Sequence, residues 1–119
     1  MDSASLKART KEFAHRCVKL AISLPATTLG NIIRAQFMRC ATSVAANYRA
    51  ACLAQTKPVF VSKISTVLEE VDECLFWLEF IVEERLMSLA RTEKLLKEAD
   101  ELTAIFYASR RTATGRDDK

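Results

Sequence analysis

An all-α chain is predicted by three features of this 119-residue sequence. Half of its residues are hydrophobic, it holds only two Gly and two Pro, and its apolar residues recur at the three- and four-residue steps of a helix face. Four such segments, separated by short polar or proline-containing breaks, are expected to pack as an antiparallel up-down four-helix bundle, because short connections make sequential helices antiparallel neighbours. A chain of this length is one domain, residues 1–119, and buries roughly two-thirds of its unfolded surface around a single core.

The first helix is expected over about residues 5–24, where Leu6, Phe13, Cys17, Leu20 and Leu24 share a face. Pro25 closes it, since the residue before a proline is biased out of the helical region. The second, about 29–53, repeats the pattern with Ile33, Phe37, Cys40, Val44 and Tyr48. The break "AQTKP" follows, and Pro58 is tolerable only in the first turn of the next helix. That third helix, about 58–85, carries the stripe Phe60, Ile64, Val67, Val71, Leu75, Leu78 and Val82. The fourth, about 88–111, carries Leu95, Leu96, Ala99, Leu102 and Phe106, with Ser88 or Thr92 available as its cap. The tail "ATGRDDK" is expected to fray.

No apolar run has the length of a signal peptide, and the longest uncharged stretch is interrupted by Pro25 and Gly30. A cytoplasmic protein with no membrane segment is expected. Cys17, Cys40, Cys52 and Cys74 are widely spaced and His15 is the single histidine, which suggests buried reduced thiols rather than a disulfide framework or a metal site. No cofactor is implied.

Charge is unevenly distributed. Residues 1–56 hold eight Lys or Arg against two acids, whereas residues 57–119 hold ten against thirteen. The third helix is also more apolar than one core requires. Phe76, Trp77 and Phe80 point away from its stripe, on the side that carries Glu70, Glu73 and Glu84. Either the fourth helix shields Trp77, or these residues form an aromatic subunit contact rimmed by acids.

On the second helix, Gln36, Arg39, Ser43 and Asn47 form a strip at the margin of the apolar face, where polar groups need partners. A reactive Ser43 would need a base, and no His or Lys stands at helical spacing from it. Arg39 cannot act as a base at neutral pH. The acids of the third helix lack the Glu-x-x-His pattern of bundle metal sites. No enzyme is therefore expected. Arg39, Ser43 and Asn47 are read as structural, bonded to backbone and carboxylate partners within the bundle or between subunits. If Arg39 sits in a buried pair, losing one partner costs about 3–5 kcal/mol.

The segment "RCATSVAANYRAACLAQTKPVFVSKISTVLEEVDECLFWLEFI" resembles the central signature of the 23S rRNA-intervening-sequence proteins. The pattern lies at Arg39, Ser43, Val44 and Asn47, then Phe60, Lys63 and Ile64, and then Glu69, Glu70, Asp72, Glu73, Trp77, Leu78 and Glu79. With "RTKEFAHRCVKLAISLP", which is similar to the family's first helix, the resemblance covers Thr10 to Arg85. Ala45, Ala46 and Met38 depart from it. The resemblance implies an up-down four-helix bundle assembled as a ring-like homopentamer with no established catalytic activity. It also implies a relation to the accessory variability determinant of diversity-generating retroelements, which binds RNA and a reverse transcriptase.

Nucleic-acid binding is accordingly one expectation, through basic surfaces on the first helix of which Lys11, Arg16 and Lys19 lie off the core stripe. Such contacts would go to phosphates, since no base-reading motif is present. The bland reading of these cations is a solvated face. A protein-protein adaptor without direct nucleic-acid binding is the alternative function. The expected oligomer contacts are Arg39, Ser43, Asn47, Glu70, Glu73, Trp77 and Phe80, because a basic second helix and an acidic, aromatic third helix suit a head-to-tail contact.

Overall fold

Every helix of the protein begins in the same way, with a short polar side chain that accepts a hydrogen bond from the backbone N–H three residues on. In the computed structural model, which describes residues 1–115, these caps are Asp2 to Ser5 N (2.8 Å), Thr27 to Gly30 N (3.0 Å), Thr56 to Val59 N (3.3 Å) and Ser88 to Arg91 N (3.3 Å). They open α1 (Ser3–Ile22), α2 (Thr28–Cys52), α3 (Lys57–Glu83) and α4 (Leu89–Thr114), and no strand occurs among the described residues. Ser88 rather than Thr92 is the cap of α4; the Thr92 hydroxyl is buried and donates to Ser88 O and Leu89 O. Pro58 lies in the first turn of α3, where its missing N–H is not needed.

Two helix ends differ from the sequence expectation. Helix α1 stops at Ile22, two positions early, and Leu24 turns inward as a buried residue of the connection. Backbone N–H groups of the turn take Leu20 O and share Ala21 O, and one side chain reaches the carbonyls beyond them. Arg34 on α2 donates from Nε to Ala21 O (3.1 Å) and from Nη2 to Leu24 O (2.6 Å) and Pro25 O (3.1 Å). Gly30 permits this close crossing, because a Cβ there would fall 2.0 Å from Pro25 O. At the other end, α4 continues through Ala113 and Thr114, which were expected to fray, and closes on Gly115 in the left-handed region at φ 70°. Residues 116–119 of that tail lie outside the described residues.

The core joins all four helices, with Phe13, Phe37 and Phe106 as its largest fully buried side chains. The expected stripes of α1 and α2 are buried throughout. The stripe of α3 is rotated from the expected one: Cys74 and Ile81 are fully buried, while Leu75, Val82 and Phe60 are only half-buried. Helix α3 packs against both α2 and α4, so the centre of its buried arc falls between them and Leu75 and Val82 come to the margin. Leu96 of α4 is also half-buried.

Successive helices pack closely, but α1 and α4 touch only sparingly. Their seam is held by Arg9, whose guanidinium grips Glu98 through Nε and Nη2, both at 2.7 Å, and reaches Glu101 at 2.7 Å. Cys17, Cys40 and Cys74 are buried free thiols and Cys52 is half-buried. Burial pushes the Cys17 thiol well above its ordinary range, and a hydrogen bond to Cys40 at 3.3 Å does the same for Cys74. Among the described residues no helix is long and apolar enough to cross a membrane.

Candidate functional site

The polar strip of α2 faces the acidic strip of α3, and their side chains form one connected network. Asn47 Nδ2 donates to Ser43 O (2.9 Å) and Ser43 Oγ (2.8 Å), and Ser43 Oγ donates to Glu70 Oε2 (3.1 Å). Arg39 Nη1 lies 3.3 Å from both Glu70 oxygens, Arg39 Nη2 bonds Glu73 Oε1, and Trp77 Nε1 donates to Glu73 Oε2 at 3.2 Å. Hydrogen bonding by Arg39, assisted by Trp77, holds the Glu73 carboxyl below the usual carboxylate range. The Ser43 hydroxyl is thus engaged by a carboxylate and an amide, and Asn47 returns to the backbone a turn earlier.

This network corrects one expectation. The Arg39 side chain is 48% exposed, so its pairs are of the solvent-screened kind, and their loss costs about 1 kcal/mol or less rather than the 3–5 of a buried pair. The charge complementarity of α2 and α3 is satisfied here within one chain.

Beyond Trp77 the surface becomes aromatic and acidic. Phe76, Trp77 and Phe80 form one cluster, with ring centroids 4.9 Å apart for Phe76–Trp77, 5.8 Å for Phe76–Phe80 and 6.0 Å for Trp77–Phe80. Trp77 and Phe80 are half-buried, and Phe76 is 52% exposed. The Trp77 indole stands on the Glu73 side of α3, toward Arg39 of α2.

The basic residues of α1 do not form one face. Lys11 lies in a groove between α1 and α2, with Lys7, His15 and Arg49. Arg16 and Lys19 lie instead in a cleft between α1 and α4, where they meet Arg91 and Lys94 over a floor of Leu20 and Leu95. No acid lines this cleft among the described residues. Arg91 and Lys94 escaped the sequence reading because only the return of α4 beside α1 brings them near Arg16 and Lys19. The available signal was their spacing: both pairs are basic residues three apart, which puts each pair on one face of its helix.

The model of the 23S rRNA-intervening sequence protein family matches residues 4–108. The chain belongs to this family. The match takes in nearly all of α1, all of α2 and α3 and most of α4, the one helix that the sequence resemblance did not reach. A crystal structure of a protein of unknown function from the S23 ribosomal protein family of Bacteroides thetaiotaomicron is similar, with a TM-score of 0.83 and 27% identity over 88% of this chain and 97% of that one. None of the curated proteins compared with it matches. In this member of the 23S rRNA-intervening sequence proteins, the matched residues reach all four helices.

Proposed function

We propose that the protein is a non-enzymatic, cytoplasmic subunit that folds as an antiparallel up-down bundle, assembles into a ring-like homopentamer and binds nucleic acid through phosphate contacts. One observation carries the binding reading. Arg16, Lys19, Arg91 and Lys94 converge on the α1/α4 cleft with no acid among the lining residues, a field that favours a polyanion. A ring would repeat this cleft on each subunit and raise the local positive charge further. The engagement of Ser43 by Glu70 and Asn47 supports a structural rather than a reactive role for the α2 strip. Kinship with the accessory determinant of diversity-generating retroelements belongs to the same proposal, with RNA as the ligand.

Fluorescence anisotropy with unrelated RNA and DNA duplexes across a salt series tests the binding. Affinity is expected to depend weakly on sequence and to fall steeply with salt as counterions are released. The variant Arg16→Glu/Lys19→Glu/Arg91→Glu/Lys94→Glu is expected to weaken binding at least tenfold and to flatten the salt slope. Absence of binding at low salt transfers the proposal to a protein-protein adaptor. Light scattering after size exclusion tests the ring, which predicts a multiple of the 13.4 kDa chain mass.

A further inference from the structure

The groove between α1 and α2 is an unusual surface for a helix pair. It encloses about 640 Å³, its floor is made of Ala14, Val18, Ala45 and Ala46, and its rim carries Lys7, Lys11 and Arg49. Small floor side chains let another helix approach closely. None of the three rim cations is in an ion pair among the described residues.

The outer face of α3 has the opposite character. Phe76 projects from it at 52% exposure, and the exposed carboxylates of Glu69, Asp72, Glu79 and Glu83 surround it at helical spacing. These four acids also make no ion pair among the described residues. Glu70 and Glu73, one face over, are already paired with Arg39, so the matching of α2 to α3 is spent inside the chain. Two surfaces of opposite sign are thus left without ion pairs among the described residues, a cationic, alanine-floored groove and an anionic ridge crowned by a phenylalanine.

We infer that the α1/α2 groove receives the α3 ridge of a second copy of this chain, with Phe76 on the alanine floor and Lys7, Lys11 and Arg49 against the ridge acids. This rests on the ring reading above and deepens it by naming the two surfaces. Because groove and ridge are different parts of the molecule, the contact is head-to-tail. Each copy then offers a free groove at one side and a free ridge at the other, so assembly continues until rotation closes it. Burial of the Phe76 ring supplies the apolar centre, and the ion pairs set the register and exclude other orientations.

The test uses two variants of the full chain: Lys11→Glu/Arg49→Glu, which spoils only the groove, and Phe76→Asp, which spoils only the ridge. All three side chains are exposed, and far-UV circular dichroism checks that helicity is kept. Each variant alone is expected to run as a 13.4 kDa monomer in light scattering. An equimolar mixture is expected to form a 1:1 heterodimer and stop there, since one intact ridge meets one intact groove and the second contact sets acid against acid. Phe76→Gln, which removes the apolar centre and keeps the ridge acids, replaces Phe76→Asp if that variant loses helicity. A multimeric wild type whose variants keep its mass overturns this contact and leaves the ring standing. Monomeric variants whose mixture stays monomeric overturn the pairing of these two surfaces. A monomeric wild type overturns the ring and this contact together, and leaves the groove to an acidic segment of another protein.

Discussion

Arg34 has no place in any apolar or polar pattern of the sequence, yet it tethers the carbonyls that end α1 to the first turns of α2. A charged donor to a carbonyl is worth roughly 1.5–3 kcal/mol, more than a neutral one, and this guanidinium serves the Leu24 and Pro25 carbonyls and shares that of Ala21 with the Leu24 N–H. Arg34→Ala is therefore expected to destabilise the fold by about 2–3 kcal/mol, with Arg34→Lys recovering only part because an ammonium cannot span the fork. Urea denaturation measures both, and an unchanged midpoint for the alanine variant refutes the role. Arg39 gives the converse lesson. Its strip was legible from four-residue spacing, but its exposure was not, since exposure depends on how far α3 stands from α2. The Glu73 carboxyl it holds is lowered in the folded state. Its contribution is thus complete above the unfolded value of about 4.3, and is lost as pH falls through the lower folded value. With Glu73 33% exposed this amounts to less than about 1 kcal/mol. Glu73→Gln should abolish that part of the acid-side loss while melting nearly like wild type once acid has protonated the carboxyl. A variant that retains the full acid sensitivity would place its origin elsewhere.

Among the elements, the helices were legible because their signals are local: caps, proline breaks and a recurring apolar face act within a few residues of one another. The extra turn of α4 was missed because Gly115 is a better stop signal than the polar composition of the tail suggested. The stripe of α3 was misjudged by a fraction of a turn, since a helix with two full neighbours buries a wider arc than periodicity alone centres. The α3–α4 connection shows a further feature that sequence patterns hide. Arg85 sits at φ 59°, with its N–H bonded to Val82 O and the next N–H to Ile81 O, a left-handed helix end normally made by glycine. A side chain there carries a steric penalty of about 1 kcal/mol. Arg85→Gly is expected to stabilise the protein by up to that amount, offset in part by the greater freedom of glycine in the unfolded chain. Thermal melting reads the result, and a lowered midpoint would mean that the Arg85 side chain makes contacts that outweigh its backbone strain.

In the whole molecule the four helices are not equivalent, because α2 and α3 each lie between two close neighbours whereas α1 and α4 share only a thin seam. No sequence pattern could show this, for it depends on the distance between the first and last helices after the other contacts have formed. Local opening follows the weakest packing, so amides of α1 and α4 should exchange with solvent faster than those of α2 and α3. The Arg9 fork to Glu98 and Glu101 is the main polar tie across the seam, and the Glu98 side chain is only 15% exposed, which makes the tie stronger than a surface pair. Arg9→Ala should therefore raise exchange several-fold in α1 and α4 while leaving the midsection of α3 unchanged. The same seam carries the cleft of Arg16, Lys19, Arg91 and Lys94, whose like charges repel across it when nothing is bound. A polyanion bridging the two helices would cancel that repulsion and close the seam. Hydrogen exchange with and without a short duplex at low salt should then show α1 and α4 slowed together, by more than α2. If binding occurs but protects other helices instead, the phosphates are held somewhere other than this cleft.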